Sequence, residues 1–240
     1  MIISLSRKFV FVHIPKCAGT SVEAAFAPFL TANDILLGPT AAGIRGQQFL
    51  GPALGLSMHS TATRIRDFMG SEAWESFFKF ALIRAPVARL RSLYRFNLGR
   101  LEKLTPEERE KYKAEGTLPD RPPYAYGIVH AAVTAASFSE FAMQPTTWRS
   151  RATRPLSHWL CDGDGNLLVD YVAKVETLDR DWQVIRKRVG IDVELGMWNR
   201  STVDLGWTLT QTAATTARAK LADDYERFGY GLDDHAARST

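Results

Sequence analysis

Phe9-Val-Phe-Val-His13-Ile-Pro15-Lys16-Cys17-Ala18-Gly19-Thr20-Ser21-Val-Glu23 is the stretch on which the reading of this chain turns. A β-branched and aromatic run meets a proline, then a lysine, small residues and two hydroxyls, and an Ala-rich helical pattern opens. A buried strand, a tight loop and a helix N-terminus in that order bind anions. The first N–H groups of a helix lack intrahelical partners and carry partial positive charge. Lys16 adds a full charge, and Gly19 lets backbone approach a bound oxyanion. The order of residues separates classes of phosphate loop. A Walker A loop places its lysine after the glycines, whereas here Lys16 precedes Gly19, which disfavours an ordinary NTPase. A cysteine-dependent phosphatase needs an arginine six residues after its nucleophile, and that place, counted from Cys17, holds Glu23.

Working outward, residues 8–13 read as a buried parallel strand. A helix should follow from Thr20 and fade at Pro28, with Thr20 and Glu23 at capping-box spacing. Residues 31–57, rich in Gly, Pro and small side chains, read as loop. Short helices are expected over Thr61–Phe68 and Ser71–Phe78, and a second strand over Lys79–Arg84. A helix should run from Pro86 to about Leu101, with Val87, Leu90, Tyr94 and Leu101 on one face and Arg89 and Ser92 on another. Thr105–Glu115 reads as a charged helix, followed by a Pro-rich turn at Pro119, Pro122 and Pro123. Phe138–Ala142 lies in a further helix. Asp170–Val175 reads as a strand, Leu178–Val189 as a helix, and Ala213–Phe228 as a last helix stopped at Gly229. Alternating strands and helices give an α/β class with a mainly parallel sheet, in a single domain over 1–240.

The second informative stretch is Phe80-Ala-Leu-Ile-Arg84-Ala85-Pro86-Val-Ala-Arg89-Leu-Arg-Ser92-Leu-Tyr94. The two stretches, in this order, resemble the 5′-phosphosulfate loop and the 3′-phosphate motif of sulfotransferases that use 3′-phosphoadenosine 5′-phosphosulfate (PAPS). The first looks most like the carbohydrate branch. The resemblance implies a P-loop-like sulfotransferase fold, a parallel sheet flanked by helices on both faces. It implies transfer of a sulfuryl group from PAPS to an acceptor hydroxyl, most naturally on a carbohydrate, releasing PAP. It also implies that Lys16, Cys17, Ala18, Gly19, Thr20 and Ser21 hold the 5′-phosphosulfate, and that Arg84 and Ser92 hold the 3′-phosphate. Lys16 would further neutralise charge as the bridging bond breaks. Ala85 stands where many members carry Asn. The stretches Asp170–Trp182, Asn199-Arg-Ser201 and Tyr225–Tyr230 resemble later landmarks of the family more loosely.

His59, between the two motifs, occupies a place comparable to the base histidine of uronyl 2-O-sulfotransferases. On that resemblance it takes the acceptor's proton, with an ordinary imidazole pKa of about 6.5 suited to the task. Glu23 is the alternative base, although its place in the helix already offers it a structural role. His13, inside the strand, reads as a packed, hydrogen-bonded residue. Arg89 is open between an anion contact and a helix-stabilising role. Trp182, Trp198 and Trp207 read as core. His158-x-x-Cys161 is a lone pair of possible ligands without a second pair, so no metal is expected.

Composition agrees with a soluble globular protein: 240 residues, 45% hydrophobic and 23% charged. A net charge of +4 suits anionic ligands without singling out nucleic acid. Two cysteines are too few for a disulfide framework, so reduced thiols and a cytoplasmic setting are expected. With no long apolar run and no leader pattern, neither a membrane span nor a signal peptide is expected. That departs from anchored members of the family and suggests a soluble, bacterial-type version. Two other classes remain compatible with these residues: a PAP-binding protein without turnover, and a P-loop kinase.

Overall fold

A computed structural model describes residues 1–118, 125–196 and 207–231. The sheet has five strands, β1 (Ile2–Ser4), β2 (Phe9–Val12), β3 (Ile35–Leu36), β4 (Phe78–Ile83) and β5 (Tyr171–Lys174), in the order β3-β1-β2-β4-β5. One half is parallel: β2 pairs with β4 in the register Val12↔Ala81, and β4 with β5 in the register Ile83↔Lys174. Strands β1 and β3 are antiparallel additions, β1 pairing with β2 and β3 with β1. They are too short for a periodicity to be seen in sequence, and the expectation of a mainly parallel sheet overlooked both.

The chain divides into two compact units, Met1–Ala85 with Leu156–Ser201, and Pro86–Pro155 with Thr202–Thr240. The first contains the whole sheet. Its core is aromatic: Phe9 packs on Phe26 and Phe80, Phe11 on Phe80, and Phe26 stacks on Trp182 at 4.9 Å. Large flat side chains contribute both apolar area and a preferred geometry, and all five are buried.

Helix α1 (Gly19–Phe26) follows β2, and α2 (Ala41–Leu54) falls within the stretch read as loop. Thr40 caps α2 by accepting from the Gly43 N–H, and Gly55 ends it with φ +63°. The glycines that made this stretch look irregular are packing residues. A Cβ at Gly46 would stand 2.1 Å from the Leu36 carbonyl oxygen, so a bare backbone is what lets α2 lie against β3. Helices α3 (Ala62–Met69) and α4 (Ser71–Ser76) precede β4, and α5 (Pro86–Leu101) opens at Pro86. Helix α6 (Pro106–Glu115) carries a capping box between Thr105 and Glu108.

In the second unit, Val87, Leu90 and Tyr94 of α5 join Phe138 and Phe141 of α8 (Phe138–Met143), with Tyr94 and Phe141 rings 4.9 Å apart. Leu101 instead packs on a separate cluster with Leu104, Tyr112 and Val129. Helix α7 (Gly127–Thr134), α9 (Pro145–Arg149) and, in the first unit, α10 (Leu156–Leu160) complete the middle of the chain. Helix α11 (Leu178–Val189) follows β5. The expected last helix is two, α12 (Gln211–Lys220) and α13 (Ala222–Phe228), broken where Leu221 leaves helical geometry at φ −119°, ψ 19°. Pro119, Pro122, Pro123, Trp198 and Asn199-Arg-Ser201 lie outside the described residues. Among the described residues no helix is long and apolar enough to cross a membrane.

Candidate active site

The loop between β2 and α1 is built from backbone held in an uncommon conformation. Lys16 (φ +68°) and Ala18 (φ +58°) both adopt left-handed geometry, which costs a residue with a Cβ roughly 1–2 kcal/mol. Strain of this kind persists where surrounding structure over-determines it, and functional loops are where it concentrates. The two residues flank Cys17, whose buried thiol turns back to the Pro15 carbonyl oxygen at 3.7 Å. The thiol is thus turned into the protein, and Lys16 beside it is half-buried.

Helix α1 starts at Gly19 with Ala18 as its N-cap and no capping side chain. The expected Thr20–Glu23 capping box is therefore absent. Among the described residues no side chain caps the opening N–H groups of α1, and an uncapped helix N-terminus is a favourable place for an anion.

Glu23 is elsewhere engaged. Its side chain is fully buried, and Oε1 accepts from the Met1 amine and from His13 Nδ1, the latter at 2.7 Å. Burial alone would raise its pKa, yet the Met1 amine and His13 together hold it below the ordinary carboxylate value. A Cβ at Gly38 would stand 1.8 Å from Oε2, so the chain closes over this carboxylate with glycine. A group sealed in this way is a poor candidate for a base that must reach an acceptor.

His59 lies between α2 and α3 and comes back to the end of β2. Its Nδ1 is 2.8 Å from the His13 carbonyl oxygen, and the two rings meet edge-on at 4.7 Å. Because a carbonyl only accepts, Nδ1 carries the hydrogen and Nε2 keeps its lone pair. Burial, and after it the charge of His13, push the His59 pKa down to about 3. The expected value near 6.5 is thereby corrected: this imidazole is neutral throughout the physiological range. Trp159 on α10 stands 6.2 Å away, ring to ring.

Arg84 follows the last residue of β4, and β4 lies parallel to β2, so Arg84 and the Lys16 loop leave the same end of adjacent strands. Ligands of parallel α/β sheets bind at that end. Arg84 is half-buried, and no hydrogen bond or ion pair of its side chain occurs among the described residues. The next N–H, that of Ala85, donates to Glu176 Oε1 at 2.8 Å and fixes the exit of the strand. Sequence reasoning passed over Glu176. Its one signal was a carboxylate just after a strand, in a segment matched only loosely.

Ser92 lies on α5 in the second unit, half-buried. Arg89, on the same helix, is buried and committed. It pairs with Asp224 at 3.3 Å and donates to the carbonyl oxygens of Ala152 and Arg154. The arginine left open between anion and framework is thus part of the framework.

Residues 1–228 match the sulfotransferase family, and the chain belongs to it. It is an α/β sulfotransferase, a transferase that moves a sulfuryl group to a hydroxyl acceptor. Comparison with curated proteins gives no match, and comparison with solved structures gives none.

Proposed function

We propose that the protein transfers the sulfuryl group of PAPS to a carbohydrate hydroxyl and releases PAP. The observation that carries this reading is that a lysine-bearing left-handed loop at the end of β2 and a half-buried Arg84, which has no hydrogen bond or ion pair of its side chain among the described residues, leave the same end of adjacent parallel strands. The residues present fit a donor with two anionic ends. Lys16, the backbone of Cys17 and Ala18, and Gly19, Thr20 and Ser21 would take the 5′-phosphosulfate. Arg84 would take the 3′-phosphate, and Ser92 is assigned to it by the motif resemblance alone. PAPS supplies the activated sulfuryl group.

The chain's own contribution is positioning and charge. Lys16 offsets negative charge that grows on the leaving oxygen. A guanidinium fork at Arg84 matches a phosphate in shape as well as charge. His59 accepts the acceptor's proton at Nε2, for which its Nδ1–H bond to the His13 carbonyl provides the correct tautomer. A base of low pKa still serves here, because the hydroxyl becomes strongly acidic as the sulfur–oxygen bond forms. The carbohydrate acceptor rests on the motif resemblance and on the net positive charge of the chain. The buried, unbridged thiols Cys17 and Cys161 suit a reducing compartment, and we place the activity in the cytoplasm.

The test is calorimetric and enzymatic. PAP should bind far more tightly than the analogue lacking its 3′-phosphate. Arg84→Ala should remove most of that preference, on the order of 1.5–3 kcal/mol for a charge-assisted bond. Labelled PAPS with a panel of glycans and small phenols then reads turnover. Equal affinity of the wild type for both nucleotides would refute the donor assignment, and sulfation of phenols alone would refute the carbohydrate acceptor.

A further inference from the structure

His13 stands between the proposed base, the start of α1 and the buried Glu23. Its Nδ1–H donates to Glu23 Oε1 at 2.7 Å, its carbonyl accepts from His59 Nδ1 at 2.8 Å, and its ring meets that of His59 at 4.7 Å. The opposite edge of the same ring lies under the start of α1. A Cβ at Gly19 would stand 2.1 Å from Cδ2 and 2.2 Å from Nε2 of His13, so the ring and the loop are in contact with no space between them. Glu23, fully buried and closed over by Gly38, leaves the ring little freedom to rotate.

We propose that the His13 imidazole, oriented by Glu23, is a positioning residue that sets the separation between the anion loop at Gly19 and the base His59. It acts as a spacer, in contact with the loop on one side and with His59 on another. A group-transfer site depends on that separation, because donor and base must meet the acceptor hydroxyl from opposite sides, and a displacement of about 1 Å costs on the order of 10²-fold in rate. The inference rests on the reading of His59 as the base and of the loop as the phosphosulfate site.

His13→Asn is the informative variant, since its side-chain amide keeps a donor for Glu23 while the ring atoms against Gly19 and His59 are lost. We expect kcat to fall by about 10²-fold, with PAP affinity and KM for PAPS changed only a few-fold. A residue needed merely for folding would not divide kcat from KM in this way. Gly19→Ala should also impair turnover, by driving a methyl group into the ring. Combined with His13→Asn, it should cause no further loss, because the obstacle is gone; independent roles would multiply.

Turnover of His13→Asn at the wild-type rate, or multiplicative losses in the double variant, would overturn the spacer. Should the variants not fold, nitrogen-15 NMR of wild-type histidine rings tests the same arrangement: His13 and His59 must both carry their hydrogen on Nδ1. An Nε2-protonated His59 would overturn it. If His59→Ala turns over normally, or the wild type never consumes PAPS, the functional reading has failed and the spacer falls with it. If His59→Ala is inactive while His13→Asn is unaffected, only the spacer is wrong.

Discussion

Replacing His59 by Asn isolates one titration, and the structure sets its size. Asn can keep a side-chain N–H for the His13 carbonyl but takes up no further proton as pH falls. In the folded protein the His59 pKa is pushed to about 3, chiefly by burial, while an unfolded histidine titrates at about 6.5. The unfolded chain therefore takes up this proton first, and acid favours unfolding. The contribution is fully present above pH 6.5 and is lost progressively as pH falls from 6.5 towards 3. From these two values the loss between pH 7 and pH 5 is about 2 kcal/mol. Urea unfolding at both pH values should show the wild type losing about 2 kcal/mol more than His59→Asn. The other buried groups, His13 and Glu23, titrate in both proteins and cancel in this difference to first order. Identical pH dependence of the two proteins would refute the argument. The same displacement governs kinetics, since kcat/KM reports the free enzyme. It should stay flat from pH 7.5 to 5, and an acid limb near 6.5 would show that His59 is solvated after all.

Lys16→Met should reduce turnover much more than PAP affinity, because PAP lacks the group at which charge develops in the transition state. Comparing single-turnover rates with PAP titrations checks this, and equal losses in both would make Lys16 a ground-state binding residue. Arg89→Ala strands a buried Asp224 and should lower stability by about 3–5 kcal/mol. The 3′-phosphate preference of the folded fraction should persist, and its loss would return Arg89 to the nucleotide site.

Parts of this protein are written locally. The β2–loop–α1 unit and the β4–α5 unit each lie in one continuous stretch, where an apolar run, a proline and a helical pattern state the conformation without outside help. Their charged residues follow from those patterns, which is why the Lys16 loop and Arg84 could each be placed at a strand exit from sequence. Helix ends with an explicit signal, such as the Thr105–Glu108 capping box and the glycine after Phe228, are of the same kind.

The rest depends on what meets at a distance. Strand β3 has two residues, and it exists because Ile35 and Leu36 pair with β1. The glycines of α2 read as loop until Leu36 is seen against Gly46. Glu23 had the spacing of a capping residue, but the Met1 amine and His13 offer a buried carboxylate stronger partners than one backbone N–H, and they claim it. Arg89 could not be assigned from its helix, since Asp224 lies 135 residues away. His59 shows the point most fully. Its identity and its place between the motifs are sequence facts, while its tautomer and lowered pKa come from a carbonyl 46 residues earlier and from the burial that packing imposes. Residue types and short-range pattern determine which chemistry the chain can carry. Desolvation and partner choice, which arise only when distant segments pack, determine the protonation state in which that chemistry is held.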